Sequence, residues 1–267
     1  MIKVLMYHRV VDDRALSLSS WLCLHSSDFR RHLELIEKYG MTPITLHDYR
    51  LVLQGELQLP KKPIIITFDD GYLDTYEVAY PILQEFGMKA VVFVLGDRNI
   101  KTNYWDERHG FAPAPLMEGH HIVELHAAGF EIGSHSMTHA KLTETPHDQM
   151  WDEISRSRMM LEILLNARVR SFSYPYGLVN SIVEQVVIEA GYTNACAVYT
   201  GPPAFSARPF EIRRIEMRNS TGPLAFSTKL LTPYPYYSWL RWKAGKMLSN
   251  SVGGVLNSSR QILNERT

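Results

Sequence analysis

Cysteine is nearly absent from this chain. Cys23 and Cys196 are the only two, far apart and without CxxC spacing, which argues against a disulfide framework or a thiolate zinc site. No charge of one sign dominates either: 28 basic residues balance 28 acidic ones, and the formal net charge is zero. A general nucleic-acid binder is usually strongly basic, so no nucleic-acid partner is expected. Long apolar runs are missing too. The opening MIKVLMYHRV holds only a short one before His8 and Arg9, too short for a signal-peptide core or a bilayer span. With that start taken as native, a cytoplasmic protein is expected.

What is present is a globular composition, 45% hydrophobic and 21% charged, with strands and helices in alternation. Val4–Val10, Pro63–Phe68, Ala90–Leu95, Gly129–Gly133, Ser171–Tyr174, Asn194–Val198 and Ile212–Met217 read as strands. Between them, Asp28–Tyr39 has helical apolar spacing, with Asp28 placed to cap it and Gly40 to end it. Helices are also expected at Tyr72–Phe86, Ile122–Ala128, His147–Leu165 and Val179–Ala190. Such alternation implies an α/β fold, a parallel sheet with helices outside, open or closed into a barrel. From about Ser227 the character shifts to aromatic and basic residues. One catalytic domain, 1–226, followed by a C-terminal extension, 227–267, is therefore expected.

The stretch Ile64–Tyr72, IIITFDDGY, runs from a β-branched strand into two adjacent carboxylates. Two ionised groups at the end of a buried strand are costly unless something cationic pairs with them. Histidines four apart, His135 and His139, lie on one face of a helical turn and can grip one ion. Gly133, two residues earlier, lets the backbone turn sharply into that site. Two histidines and one carboxylate leave positions open for water and substrate, and a second, unligated carboxylate can take a proton. The simpler alternatives are an accidental pair among 11 histidines and aspartates that merely cap a helix. Tyr174-Pro175-Tyr176-Gly177 lies beyond a third strand, on the same carboxyl edge where ligands gather in parallel folds.

TFDDG (Thr67–Gly71), HSMTH (His135–His139) and FSYPYG (Phe172–Gly177), in that order, resemble the signature of the polysaccharide deacetylase family, also called NodB-homology or carbohydrate esterase 4. The resemblance covers roughly residues 1–217. It implies a distorted (β/α) barrel, here with a C-terminal helical and aromatic extension, and metal-dependent removal of acetyl groups from N-acetylated sugars. It implies that Asp69 is the general base, that Asp70, His135 and His139 hold the metal, and that the Tyr176 backbone N–H holds the oxyanion.

Two departures from the family pattern matter. Ser173 stands where many members carry an arginine that orients the base, and Arg214 is expected to substitute from another strand. No histidine follows His147, although members usually place a catalytic acid late in the chain. His8, in a Tyr-His motif resembling that of a permuted subgroup, is expected to take that role.

Zn²⁺ suits the ligand types, with Co²⁺, Ni²⁺ or Mn²⁺ as alternatives. An N-acetylated glycan is the expected substrate, Tyr176 and Trp105 its contacts, and the aromatic, basic segment 233–246 a candidate for peripheral membrane contact. A deformylase or related amidohydrolase, an inactive carbohydrate-binding relative, and a ferrous oxygenase, which also uses two histidines and one carboxylate, remain as competing readings.

Overall fold

The computed structural model describes residues 2–244 apart from 111, 199, 203 and 206. Its strands are β1 (Lys3–Tyr7), β2 (Arg9–Val11), β3 (Cys23–His25), β4 (Thr42–Pro43), β5 (Pro63–Phe68), β6 (Val91–Val94), β7 (Glu131–Ser134), β8 (Ser171–Ser173), β9 (Asn194–Cys196) and β10 (Ile215–Glu216). The main sheet runs β10-β1-β5-β6-β7-β8-β9, with β4 on β5, and β2 and β3 pair separately. Every pairing is parallel. The sheet almost closes. Ile212 bridges to Cys196 on β9, while Ile215, three residues later, pairs with Leu5 on β1. The expected strand Ile212–Met217 is thus two short contacts with opposite edges of the sheet, and Arg213 and Arg214 occupy the seam.

Both faces of this sheet are buried, as parallel sheets require. Along β5 the side chains alternate. Ile64, Ile66 and Phe68 join the large cluster under the helices, whereas Ile65 joins Val4, Val91, Phe93, Cys196 and Ile212 in a smaller interior one. The same parity carries Thr67 and Asp69 inward. Gly133 also faces in, and its role differs from the expected sharp turn. A Cβ there would sit 2.4 Å from the Phe93 ring, so glycine makes room for a barrel-filling aromatic.

The helices are α1 (Arg14–Ser19), α2 (Ser26–Lys38), α3 (Leu46–Leu53), α4 (Tyr80–Glu85), α5 (Gly119–Ala127), α6 (His147–Leu165), α7 (Ser181–Glu189) and α8 (Pro223–Leu231). Asp28 does not cap α2. The His25 side chain accepts from the Ser27 N–H instead, and Asp28 pairs with Arg14. Gly40 does sit just past the helix end, with φ 62°. The expected helix at Tyr72–Phe86 opens as a π turn, Thr75–Ala79, before tightening into α4. The first strand breaks at His8, where the chain leaves the barrel for the β2–β3 pair.

The boundary expected at 226/227 falls inside α8, which packs on the barrel. Phe226 is fully buried and stacks on His32 of α2 with ring centroids 3.9 Å apart. The Tyr39 hydroxyl donates to Ser227 Oγ at 2.8 Å. Residues 234–244 form a further helix, and the rest of the expected extension, 245–267, lies outside the described residues. Among the described residues, no helix is long and apolar enough to cross a membrane.

His32 ties the α2–α8 contact to the sheet. Its ring meets the Tyr7 hydroxyl at 3.1 Å through Nδ1 and the Thr221 carbonyl at 2.8 Å through Nε2. Burial lowers its pKa to about 4, against an ordinary 6.5, despite the carbonyl acceptor that favours the proton. The folded value lies below the unfolded one, so its stabilisation is complete above about pH 6.5 and is lost as pH falls towards 4. The urea-unfolding free energy should drop over that window, and drop less in His32→Gln. Parallel curves for the two proteins would show that His32 titrates normally in the fold.

Candidate metal centre and active site

Strand parity explains the paired aspartates. Asp69 continues the inward row of Ile65 and Thr67, while Asp70 adopts a left-handed backbone, φ 70°, that swings its carboxylate sideways. Two imidazoles meet it there. Asp70 Oδ1 is 3.2 Å from Nε2 of His135 and 3.2 Å from Nε2 of His139. His135 follows β7 on the inward row. The expected helical turn from His135 to His139 is instead a loop in which Ser136 and His139 both have φ 64°. The Ser136 hydroxyl accepts from the His139 N–H at 3.0 Å and holds this bend. Asp70, Ser136, His139 and Tyr176 are four of the five non-glycine residues with positive φ among those described, a concentration of backbone strain typical of functional sites.

The Asp70, His135 and His139 ligand atoms all lie within 4.8 Å of one another, and all three residues are buried. The surroundings fit a cation between them. His135 Nδ1 is committed as a donor to the Ser173 carbonyl at 2.7 Å, which leaves the Nε2 lone pair of a neutral ring facing a carboxylate oxygen. Burial opposes a charge on His135, yet Asp70 and Asp69 raise its pKa, so this contact draws a positive charge to Nε2, either a proton or a metal ion. The carbonyl acceptor behind the ring is the usual partner of a ligating histidine. The Trp105 indole stacks on His139 at 4.3 Å and 16°, fixing that ring from the other side.

Asp69 has a different environment. Arg214 grips it with two parallel bonds, Nη1 to Oδ1 at 2.7 Å and Nη2 to Oδ2 at 2.6 Å. The same guanidinium donates to Ser173 Oγ at 2.9 Å, Thr67 Oγ1 at 3.2 Å and the Ala197 carbonyl at 3.0 Å. All five N–H groups of the arginine are therefore used, and its exposure is 2%. Burial pushes the Asp69 carboxyl up, but Arg214 and the nearby His135 pull it below its ordinary value. Arg214, arriving from the closing seam, thus meets both Asp69 and the hydroxyl of Ser173.

His8 and Tyr176 join Asp69, Asp70, Trp105, His135 and His139 around one cleft of about 490 Å³. His8 stands at the break between β1 and β2, beside Asp69, whose N–H donates to the Tyr7 carbonyl at 3.1 Å. Its Nδ1 is buried without a hydrogen-bond partner among the described residues. Tyr176 sits between Pro175 and Gly177 at φ 59°, its ring edge-on to His139 at 4.5 Å. Trp105 reaches the cleft too, but it is only 5% exposed and one face of its indole is occupied by His139.

Asp106, directly after Trp105 in the sequence, lines this cleft as well. So do Trp21, Glu216 and Arg218, which nothing local in the sequence marks; Arg218 lies 4.8 Å over the Trp21 ring and its Nε is 2.6 Å from Glu216.

Fold and side chains together define a parallel barrel whose rim carries a buried Asp-His-His group that could hold a metal ion, with a second carboxylate, paired to Arg214, beside it. The family model for polysaccharide deacetylase matches residues 56–195, just over half of the chain. The chain belongs to the polysaccharide deacetylase family. YxkH of Bacillus subtilis (strain 168) is 24% identical over 223 residues, 84% of this chain and 74% of that protein. The poly-beta-1,6-N-acetyl-D-glucosamine N-deacetylase of Escherichia coli (strain K12) is 22% identical over 257 residues, which cover 85% of this chain and 38% of that longer protein. The structure of the Streptococcus pyogenes deacetylase PplD in complex with acetate superposes with a TM-score of 0.72 at 23% identity, covering 86% of this chain and 97% of that one.

Breaking a buried ion pair from one side leaves an uncompensated charge and costs about 3–5 kcal/mol. Arg214→Met should cost that much in urea unfolding under chelating conditions. The Asp69→Leu/Arg214→Met double variant should recover much of it, because neither charge remains. A single-variant loss below about 1 kcal/mol would place the pair in the range of a solvated ion pair.

Proposed function

We propose that this family member is a metal-dependent N-deacetylase that hydrolyses the N-acetyl group of an N-acetylated sugar in a polysaccharide or glycan precursor. One observation carries the reading: an ionised carboxylate, Asp69, is buried against Arg214 next to a three-ligand group that it does not join. A mere binding protein has no use for that arrangement, and hydrolysis needs it. The name of the Escherichia coli relative supports an N-acetylglucosamine polymer as the substrate class.

Asp70, His135 and His139 would hold a divalent ion, Zn²⁺ by ligand type with Co²⁺, Ni²⁺ or Mn²⁺ as substitutes. When bound, it supplies Lewis acidity, polarising the acetyl carbonyl and making a water more acidic. Asp69 takes the proton of the attacking water. Arg214 keeps that carboxylate ionised and fixes its orientation. The Tyr176 backbone N–H, aimed by its left-handed turn, donates to the oxygen that gains charge in the tetrahedral transition state. His8 delivers a proton to the nitrogen as the C–N bond breaks, and acetate and the free amine depart. Tyr176 and Trp105 flank the sugar.

Acetate release from N-acetylglucosamine oligomers is the direct test. It should vanish on chelation, return with Zn²⁺ or Co²⁺, and persist under argon, unlike an oxygenase reaction. His8→Ala should lower turnover by about 10²–10⁴-fold while metal content stays at the wild-type level; wild-type turnover would remove His8 from the mechanism. Formate release from a formylated substrate would favour a deformylase. Sugar binding without acetate release under any divalent ion would favour a binder.

A second feature supports membrane contact through residues 233–246. The helix at 234–244 turns Tyr237 and Leu240 outward, 59% and 54% exposed. No acidic residue occurs between Glu216 and Glu265, while Arg241, Lys243 and Lys246 add positive charge. Apolar side chains flanked by unopposed cations suit an anionic lipid surface. The protein should co-sediment with phosphatidylglycerol vesicles and not with phosphatidylcholine ones, and Tyr237→Ser/Leu240→Ser should release it. Equal binding to both, or none, counts against the contact.

A further inference from the structure

Asp106 is a buried carboxylate in the cleft that neither the metal group nor the proposed mechanism uses. It sits in the turn Tyr104–His109 after β6, in a connection that is irregular yet strongly tied down. The Leu116 N–H donates to the Lys101 carbonyl at 2.9 Å, the Met117 N–H to the Gly71 carbonyl at 2.8 Å, and the Leu73 N–H to the Pro115 carbonyl at 2.9 Å. The loop is thereby pinned to the same exit of β5 that carries Asp69 and Asp70. From the other side, the Tyr104 hydroxyl donates to the Thr138 carbonyl at 2.9 Å, joining it to the loop of the two histidines.

Within this frame the two oxygens of Asp106 are treated differently. Oδ2 accepts from the Tyr72 hydroxyl at 2.9 Å and from Asn103 Nδ2 at 2.9 Å. Both donors are themselves held. Asn103 Oδ1 accepts from the Ala114 N–H at 2.6 Å, and the Arg9 guanidinium lies 5.3 Å over the Tyr72 ring. Oδ1 has no hydrogen-bond partner among the described residues. The side chain is only 8% exposed. It forms the wall shared by the 490 Å³ cleft and an adjoining cavity of about 180 Å³, which Arg9, Ser20, Tyr72 and Asn103 also line. A carboxylate that is fixed through one oxygen while the other lacks a partner is a pre-organised acceptor. It suits a ligand rich in O–H donors.

We propose that Asp106 is a specificity-determining residue: its Oδ1 accepts a hydrogen bond from a hydroxyl of the sugar in the cleft, with Tyr72 and Asn103 as positioning residues. This rests on the N-deacetylase reading above. Sugar hydroxyls are the donors that distinguish such a substrate from a bare acetylated amine or ester. A fixed acceptor beside the Trp105–His139 stack would orient the ring so that its acetamido group reaches Asp69.

The test compares two substrates on the metal-loaded enzyme: an N-acetylglucosamine oligomer and a small acetyl ester without hydroxyls. Asp106→Asn keeps an acceptor for Tyr72 and Asn103 but turns the group facing the cleft into a donor. Loss of a hydrogen bond to a charged group corresponds to about a 10–100-fold effect. The ratio of kcat/KM for the oligomer to that for the ester should fall by that factor, chiefly through KM for the oligomer. Tyr72→Phe removes one of the two donors that fix Asp106 and should lower the same ratio severalfold. If Asp106→Asn slows both substrates equally, or loses metal, Asp106 serves the catalytic centre and the proposal is wrong, while the deacetylase reading stands. If the wild type cleaves the ester and never the oligomer, the sugar reading itself fails, and the proposal with it.

Discussion

The ion pair of Arg214 and Asp69 is the constraint around which the upper half of the barrel is organised. Moving a carboxylate and a guanidinium out of water costs several kcal/mol for each ion. The cost is offset only because the geometry is bidentate and every remaining N–H of the arginine finds an oxygen, on Thr67, Ser173 or Ala197. Those acceptors come from three different strands or their ends. The pair therefore acts as a clasp across the interior, and it exists only because the chain at 212–216 leans on β9 with one end and on β1 with the other. Sheet closure and the state of the proposed base are one problem with one solution.

Around that clasp the barrel divides by height. Its lower interior is apolar, with Val4, Ile65, Val91 and Phe93 packed together, and Gly133 is small because Phe93 needs the space. The upper interior is polar and leads to the rim where Asp70, His135 and His139 converge. There the backbone leaves its relaxed conformations at Asp70, Ser136, His139 and Tyr176. Strain of about 1–3 kcal/mol per residue is sustainable only where a rigid frame over-determines the loops. Parallel strands buried on both faces provide such a frame.

The segments outside the regular βα pattern carry as much of the cleft as the strands do. The irregular connection at 101–117 brings Trp105 against His139 and Asp106 against the neighbouring cavity. The excursion from β2 to β3 brings Trp21 to the same cleft. Helix α8 looks like the start of an appendage in composition, yet its Phe226 belongs to the same apolar cluster as β1 and β5.

The sequence by itself determined the alternation of the main-sheet strands with most of their helices, the parallel sheet, and the convergence of three motifs on one rim. These follow from local rules: two-residue and 3.6-residue periodicity, glycine past a helix end, and carboxylates or histidines just beyond apolar strands. The motifs also pointed to Asp70, His135 and His139, whose ligand atoms lie within 4.8 Å of one another, and to Asp69 and Arg214, which pair. Tertiary structure alone decided the rest. Left-handed φ at Asp70 and His139, which aims their side chains, is dictated by neighbours rather than by residue type, so a helical turn was a reasonable but wrong expectation for His135–His139. Gly133 answers to Phe93 on another strand, and α8 answers to His32, about 190 residues before it. Contacts between residues so distant in sequence leave no local periodicity, and only the closed barrel brings Trp21, Asp106 and Arg218 to the same cleft as the motifs.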